Sequence, residues 1–336
     1  MLALASGASY HGPAKLTFAR AFTSWTLDPW SLAAIVILAG LYVAGVVAVR
    51  RRGQDWPAGR VVLFCGLGLG FGAIATMSFV GVYQPVLFYV RSVQTVLLLL
   101  VVPLFVALGR PLSLFITVRP RAGQRLRAAI GSRIAQLLTF PPITTFVLVL
   151  TPFLIYFTPW YAAGFGSGLV AQLTHLALLA PGFVFFWTLL RVDPVPRAYP
   201  YVLTLWITAA EVVGDAVLGI AVIADTSLLA GPHYHAVGYP WGPTLATSQV
   251  LGGGVLWILG DIVGLPFLAA QLIQMMREDE AEAKVIDAEL DAQQAAGVAP
   301  ADAIVTAGEG QPVVQRPWWE TDRRFADRFR AVDDPD

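Results

Sequence analysis

Apolar residues in this chain come in long unbroken blocks, and the block lengths carry the first inference. A helix needs about 20 apolar residues to cross the hydrocarbon core of a bilayer. Seven stretches reach that length, at roughly 30–49, 61–80, 90–109, 139–158, 168–190, 199–223 and 249–275. Backbone groups in lipid need internal hydrogen bonds, so these stretches predict helices and not buried strands. Pro103, Pro152, Pro181 and Pro266 lie inside them and predict kinks braced by neighbouring helices. The expected fold is therefore all-α, a polytopic membrane bundle of about seven transmembrane helices.

Basic residues orient the spans. Arg50, Arg51, Arg52 and Arg60 follow the first run; Arg110, Arg119, Arg121, Arg125, Arg127 and Arg133 follow the third; Arg191 and Arg197 follow the fifth. Those loops hold 12 of the 22 Lys and Arg, whereas the opposite side has Lys15 and Arg20, with Arg91 at the mouth of helix three. Basic loops stay cytoplasmic, so the N-terminus is expected outside and the C-terminus inside. Three regions follow: an extracytoplasmic segment at 1–29, a seven-helix domain at 30–276 and an acidic cytoplasmic tail at 277–336. The tail carries 15 acids and 7 bases. Its start, Glu278–Ala296, favours helix and extends the last span; 297–315 reads as a linker. The closing PWWETDRRFADRFRAV sets Trp318 and Trp319 beside Phe325, Phe329 and Val332 at helical spacing. Such an amphipathic piece either lies on the membrane and its own helices or docks on a partner.

Composition agrees and removes other classes. The chain is 57% apolar and 13% charged, with a mean hydropathy of +0.66, against roughly 45–50% and about 25% for soluble domains. A formal net charge of zero offers no field to recruit polyanions, so no nucleic acid is expected as partner. The single cysteine, Cys65, rules out an intramolecular disulfide and any C-x-x-C pair. The first residues lack a cleavable signal pattern, and the first run reads as a retained helix. The expected setting is a membrane crossed several times.

Ionisable residues at bilayer depth are costly and usually face a cavity or a partner. Glu211 and Asp215 lie four apart on one face of the sixth span, Asp261 midway along the seventh and His175 on the fifth. Two readings stand: these groups gather to bind a cation or relay protons, or each pairs with a neighbour and fixes helix packing. His233 and His235, in GPHYH, form an exposed H-x-H pair that either contacts copper or is ordinary loop chemistry. The glycines of GLGLGFG (66–72) and LGGGVLW (251–257) lie inside spans, so they read as helix-packing notches and not as a nucleotide loop. No nucleophile–base–orienter set, zincin helix or Walker loop occurs, and the protein is not expected to be an enzyme.

Several phrases together resemble the CtaG-like cytochrome c oxidase assembly factors. Phe88, Gln94, Pro103, Gly109 and Pro111 fall on that family's signature helix. Further matches are His175-Leu176 with Gly182, Phe185, Trp187 and Asp193-Pro194-Val195-Pro196-Arg197; Ala216–Ile220; and Trp241-Gly242 with Gln249, Leu251–Gly254, Trp257 and Gly260-Asp261. PWWETDRRF is similar to a tail of actinobacterial members. The resemblance implies a role in building the haem–copper oxidase, with oxidase subunits as partners and copper as a candidate cargo. The departures bear on the metal. Arg91 and Thr95 stand where the family signature has H-x-x-x-H, and Ala171 where many members have histidine. Asp215 also replaces histidine, and Ser248 a frequent aspartate. Arginine cannot serve as a ligand, and the remaining set of His175, Glu211, Asp215 and Asp261 is oxygen-rich, suited to harder cations or protons. The expected role is a membrane assembly factor with an altered ancestral copper site. The alternatives are a proton- or cation-coupled transporter and a structural accessory subunit.

Overall fold

A computed structural model describes residues 10–197 and 199–295, with two-residue strands at Ile304–Val305 and Val313–Val314. Trp318, Trp319, Phe325 and Phe329 lie outside the described residues. The chain divides into two units, 1–272 and 273–336. Apart from the two short strands, the regular structure is helical. We number the long helices α1 (Pro29–Arg51), α2 (Ala58–Tyr83), α3 (Phe88–Leu108), α4 (Pro141–Tyr156), α5 (Gly168–Leu190), α6 (Tyr201–Ala224) and α7 (Leu245–Ala295).

Six of these contain stretches long and apolar enough to cross a membrane. The seventh candidate is a bent pair: α4 ends at Tyr156, and Trp160–Gly166 continues after a 63° bend. Thr158 and Pro159 make the corner. The Thr158 hydroxyl donates back to Leu154 O at 2.6 Å and accepts from Trp160 N–H at 3.3 Å, so one side chain closes one helix and opens the next. Helix continues through Pro152, Pro181 and Pro266. The basic segment after α3, expected as loop, instead folds into three short helices, Pro111–Val118, Pro120–Ile130 and Arg133–Leu138.

α3 is the centre of the bundle. It packs on α2 and α5, α5 on α4, and α4 on α6, while α1 lies against α2 and Pro111–Val118. Leu98, Leu100, Leu148, Phe185, Phe186 and Val222 are among the most deeply buried core side chains. Val36, Ile37 and Leu41 of α1, by contrast, are largely exposed, the outward apolar face a lipid-embedded helix presents.

Two helices carry wide π turns, at Val62–Gly68 in α2 and Leu97–Val101 in α3. The second contains Leu99, whose carbonyl lies against Gly182 of α5. A Cβ at 182 would collide with that oxygen and stand 2.8 Å from Pro103 Cγ. The glycine-rich runs serve selectively. Within 66–72, Gly68 takes the close approach, to Val106 N; within 252–254, Gly253 faces Gly219 O, whereas nothing lies near Gly254.

Three polar residues, Asp193 and Gln249 from the family-like phrases and Ser248 from the departures, act as helix caps over long sequence distances. Asp193 is 4% exposed and accepts from Leu112 N–H at 3.1 Å and Ser113 N–H at 2.9 Å, at the start of Pro111–Val118. Ser248 Oγ accepts from Phe88 N–H at 3.1 Å, at the start of α3. The Gln249 amide nitrogen lies within hydrogen-bonding distance of the Val222, Asp225 and Ser227 carbonyls, and its oxygen accepts from Leu229 N–H. Helix ends leave backbone groups without intrahelical partners, and these side chains supply them.

Candidate functional site

The polar residues form two separate groups. On the α6–α7 side, Glu211 and Asp215 are 2% and 7% exposed. They are four apart, so their side chains leave α6 on one face. Each meets a glycine of α7. A Cβ at Gly260 would collide with Asp215 Oδ2, and one at Gly264 would stand 3.2 Å from Glu211 Oε2. Asp261 is close enough to both to repel them as charges, and its Oδ1 is buried without a hydrogen-bond partner. Toward the end of the same face, Thr208 Oγ1 donates to Gln271 Oε1 at 3.1 Å. Among the described residues, Glu211 and Asp215 make neither a hydrogen bond nor an ion pair.

The second group lies around the start of α3. Arg91 is 5% exposed and has no ion pair among the described residues. Its Nη1 donates to Gln84 Oε1 at 2.7 Å and Gln94 Oε1 at 2.9 Å. The guanidinium lies 6.0 Å from the Tyr161 ring centroid and 5.8 Å from that of Phe165. Neutral acceptors and ring faces thus take the place of a carboxylate. Gln94 passes the network on to Ala75 O. Thr95, one turn along, exchanges a hydrogen bond with the Tyr156 hydroxyl at 2.8 Å. Signature positions 91 and 95 are therefore filled by a packed polar network.

The expected gathering of His175 with the acids does not occur. The charged groups acting on His175 are Arg91 and Asp28, because it faces the α1–α3 side of α5 and lines a cavity there. Ala171 sits one turn earlier on α5, half-buried. The H-x-H reading also changes. Residues 231–237 form a helix, on which side chains two apart point in different directions. His233 stacks on Phe165 at 3.8 Å and bonds Pro85 O at 2.8 Å, while His235 is exposed. Among the described residues, no three His, Cys, Asp or Glu side chains come together to hold a metal.

Asp28 holds α1 to α5. Its carboxylate accepts from Ser31 Oγ at 2.6 Å and Gln172 Nε2 at 2.7 Å, and from Trp30 N–H at 3.1 Å. Burial pushes its pKa up, but these hydrogen bonds outweigh burial and hold it below the usual carboxylate value. A depressed pKa gives stability that is present above the unfolded value and lost as pH falls through the folded one. Below about pH 4, wild type should therefore lose thermal stability faster than Asp28→Asn. Parallel melting curves of the two proteins in acid would show that the clamp is absent.

Comparison with known proteins places this arrangement. The sequence model of the cytochrome c oxidase caa3 assembly factor family matches residues 40–278. Uncharacterized proteins of Mycobacterium bovis and Mycobacterium tuberculosis are each 31% identical over 297 residues, covering 85% of this chain and 44% of theirs. One from Mycobacterium leprae is 28% identical over 281 residues, covering 80% and 42%. The chain thus spans less than half the length of these relatives. No solved structure matches.

Proposed function

The chain belongs to the cytochrome c oxidase caa3 assembly factor family, and from that premise we propose that it is a multi-pass membrane factor that binds oxidase subunits during assembly and catalyses no reaction itself. The family match over residues 40–278 carries this reading. The basic loops support an orientation with the N-terminus outside and the tail in the cytoplasm. Binding would proceed laterally, helix face to helix face, through small residues and exposed apolar surface. Copper transfer by this chain is not part of the proposal, since Arg91 and Thr95 occupy the signature positions and His175 stands apart from the acids.

Deleting the protein tests the reading. Membranes of the deletion strain should lose about tenfold or more of their cytochrome c oxidase activity and haem a absorbance. That ratio corresponds to about 1.4 kcal/mol in an assembly equilibrium. Both readouts should return with wild type and equally with His175→Ala. Unchanged oxidase in the deletion strain would reject the assembly role. Rescue lost only in His175→Ala would restore a metal-transfer role.

The unpartnered carboxyls favour one second reading, a proton- or cation-coupled pathway along α6. It requires flux in reconstituted vesicles that Asp215→Asn abolishes; equal flux in that variant excludes it.

A further inference from the structure

A cavity of about 410 Å³ lies between α1, α2, α3 and α5, within the range of small-ligand sites. Its polar groups, Ser31, Thr76, Gln172 and His175, stand at one end, and Val106 and Phe183 at the other. The long axis follows the helices. His175 to Phe183 is eight residues, about 12 Å along α5. Trp30 and Leu176, both largely exposed, are among its lining residues, so the cavity reaches the apolar outer surface.

The polar end is almost fully satisfied without an occupant. Ser31 Oγ and Gln172 Nε2 donate to Asp28, and Thr76 Oγ1 donates to Gly72 O at 2.8 Å. His175 is the exception. Among the described residues neither of its ring nitrogens makes a hydrogen bond, and Nδ1 is buried in that state. Nδ1 is closed off by its neighbours, so the ring nitrogen left open to an occupant is Nε2, and the cavity that His175 lines is where its partner can come from.

We propose that this cavity binds a neutral single-chain lipid bearing a hydroxyl, with the hydroxyl on His175 and the chain running toward Phe183. A hydroxyl both donates and accepts, so it satisfies Nε2 of the imidazole in either tautomer. A neutral head is favoured because Asp28, the carboxylate held at the polar end, already accepts three hydrogen bonds and offers no match to a cation or an acid. The length and direction of the cavity suit one chain lying parallel to the lipid tails. The site stands independently of the assembly role.

The full chain in phosphatidylcholine nanodiscs, photolabelled with a sixteen-carbon alcohol carrying a mid-chain diazirine, tests the proposal. The matched carboxylic acid and amine serve as controls. Labelling should concentrate on the cavity-lining peptides of α1, α2, α3 and α5, and unlabelled hexadecanol should compete. The alcohol should label these peptides about fivefold more than either control, whose charged heads are costlier to desolvate in the site. His175→Phe should lower labelling by a similar factor, and His175→Gln should recover most of it. Ala34→Phe, at an exposed position lining the cavity, should block it by filling space and carries the test if His175→Phe fails to fold. Even labelling of all lipid-facing helices, unmoved by Ala34→Phe, overturns the site. Equal or stronger labelling by the acid or the amine overturns the assigned head group.

Discussion

Gly182→Leu is expected to prevent the bundle from closing, at a cost of about 3 kcal/mol or more, the upper end for overpacking. The added side chain would begin inside the Leu99 carbonyl and against the Pro103 ring. Both obstacles belong to backbone or to a rigid ring, so rotamer changes cannot relieve them. α3 and α5 would have to part, and α3 is the helix on which α2 and α5 both rest. Gly254→Leu, on a surface with nothing near, should leave stability unchanged or slightly raised, since leucine is the better helix former. Thermal unfolding in mild detergent, with the yield of monodisperse protein, separates the two. A Gly182→Leu protein that melts like wild type would mean that α3 and α5 do not approach this closely.

Asp193→Ala should cost about 3 kcal/mol, the sum expected for two hydrogen bonds to a buried charged acceptor. The carboxylate also sits at the positive end of Pro111–Val118, where a negative charge is favoured. Asp193→Asn keeps one strong acceptor and should fall between. The loss should be local: protease sites within 111–138 should open before the spans unfold. Cleavage there at the wild-type rate in Asp193→Ala would contradict the capping role.

Apolar run length made the spans legible, since the requirement to cross lipid leaves few alternatives. The observed helices begin and end within a few residues of the expected runs, and α7 continues to Ala295 as the propensity of Glu278–Ala296 suggested. The break after Tyr156 was hidden because no charged residue marks it: Phe157 to Tyr161 has none. Its signal was Thr158-Pro159, a cap-and-start pair. The three short helices at 111–138 were hidden by charge, though Pro111, Pro120 and Ser132 are ordinary helix-start residues.

At the polar clusters, periodicity showed that Glu211 and Asp215 share a face, but it could not show which helix that face meets. The carboxyls of α6 and α7 are neighbours because Gly260 and Gly264 leave them room. His175 missed them because the rotation of α5 is set by Gly182 against Leu99, a contact invisible in one sequence. Asp193, Ser248 and Gln249 were visible as motif letters without a reason. The reason is backbone capping across distances of 20 to 160 residues, which spacing rules do not reach.

The corner at Thr158 and Pro159 also bears on the surrounding lipid. α4 has 16 residues and so rises about 24 Å, against a hydrocarbon thickness of about 30 Å. Trp160–Gly166, turned through 63°, adds about 5 Å along the α4 axis. The bent pair therefore comes close to that thickness without local thinning of the bilayer, which would otherwise cost a fraction of a kcal/mol per ångström.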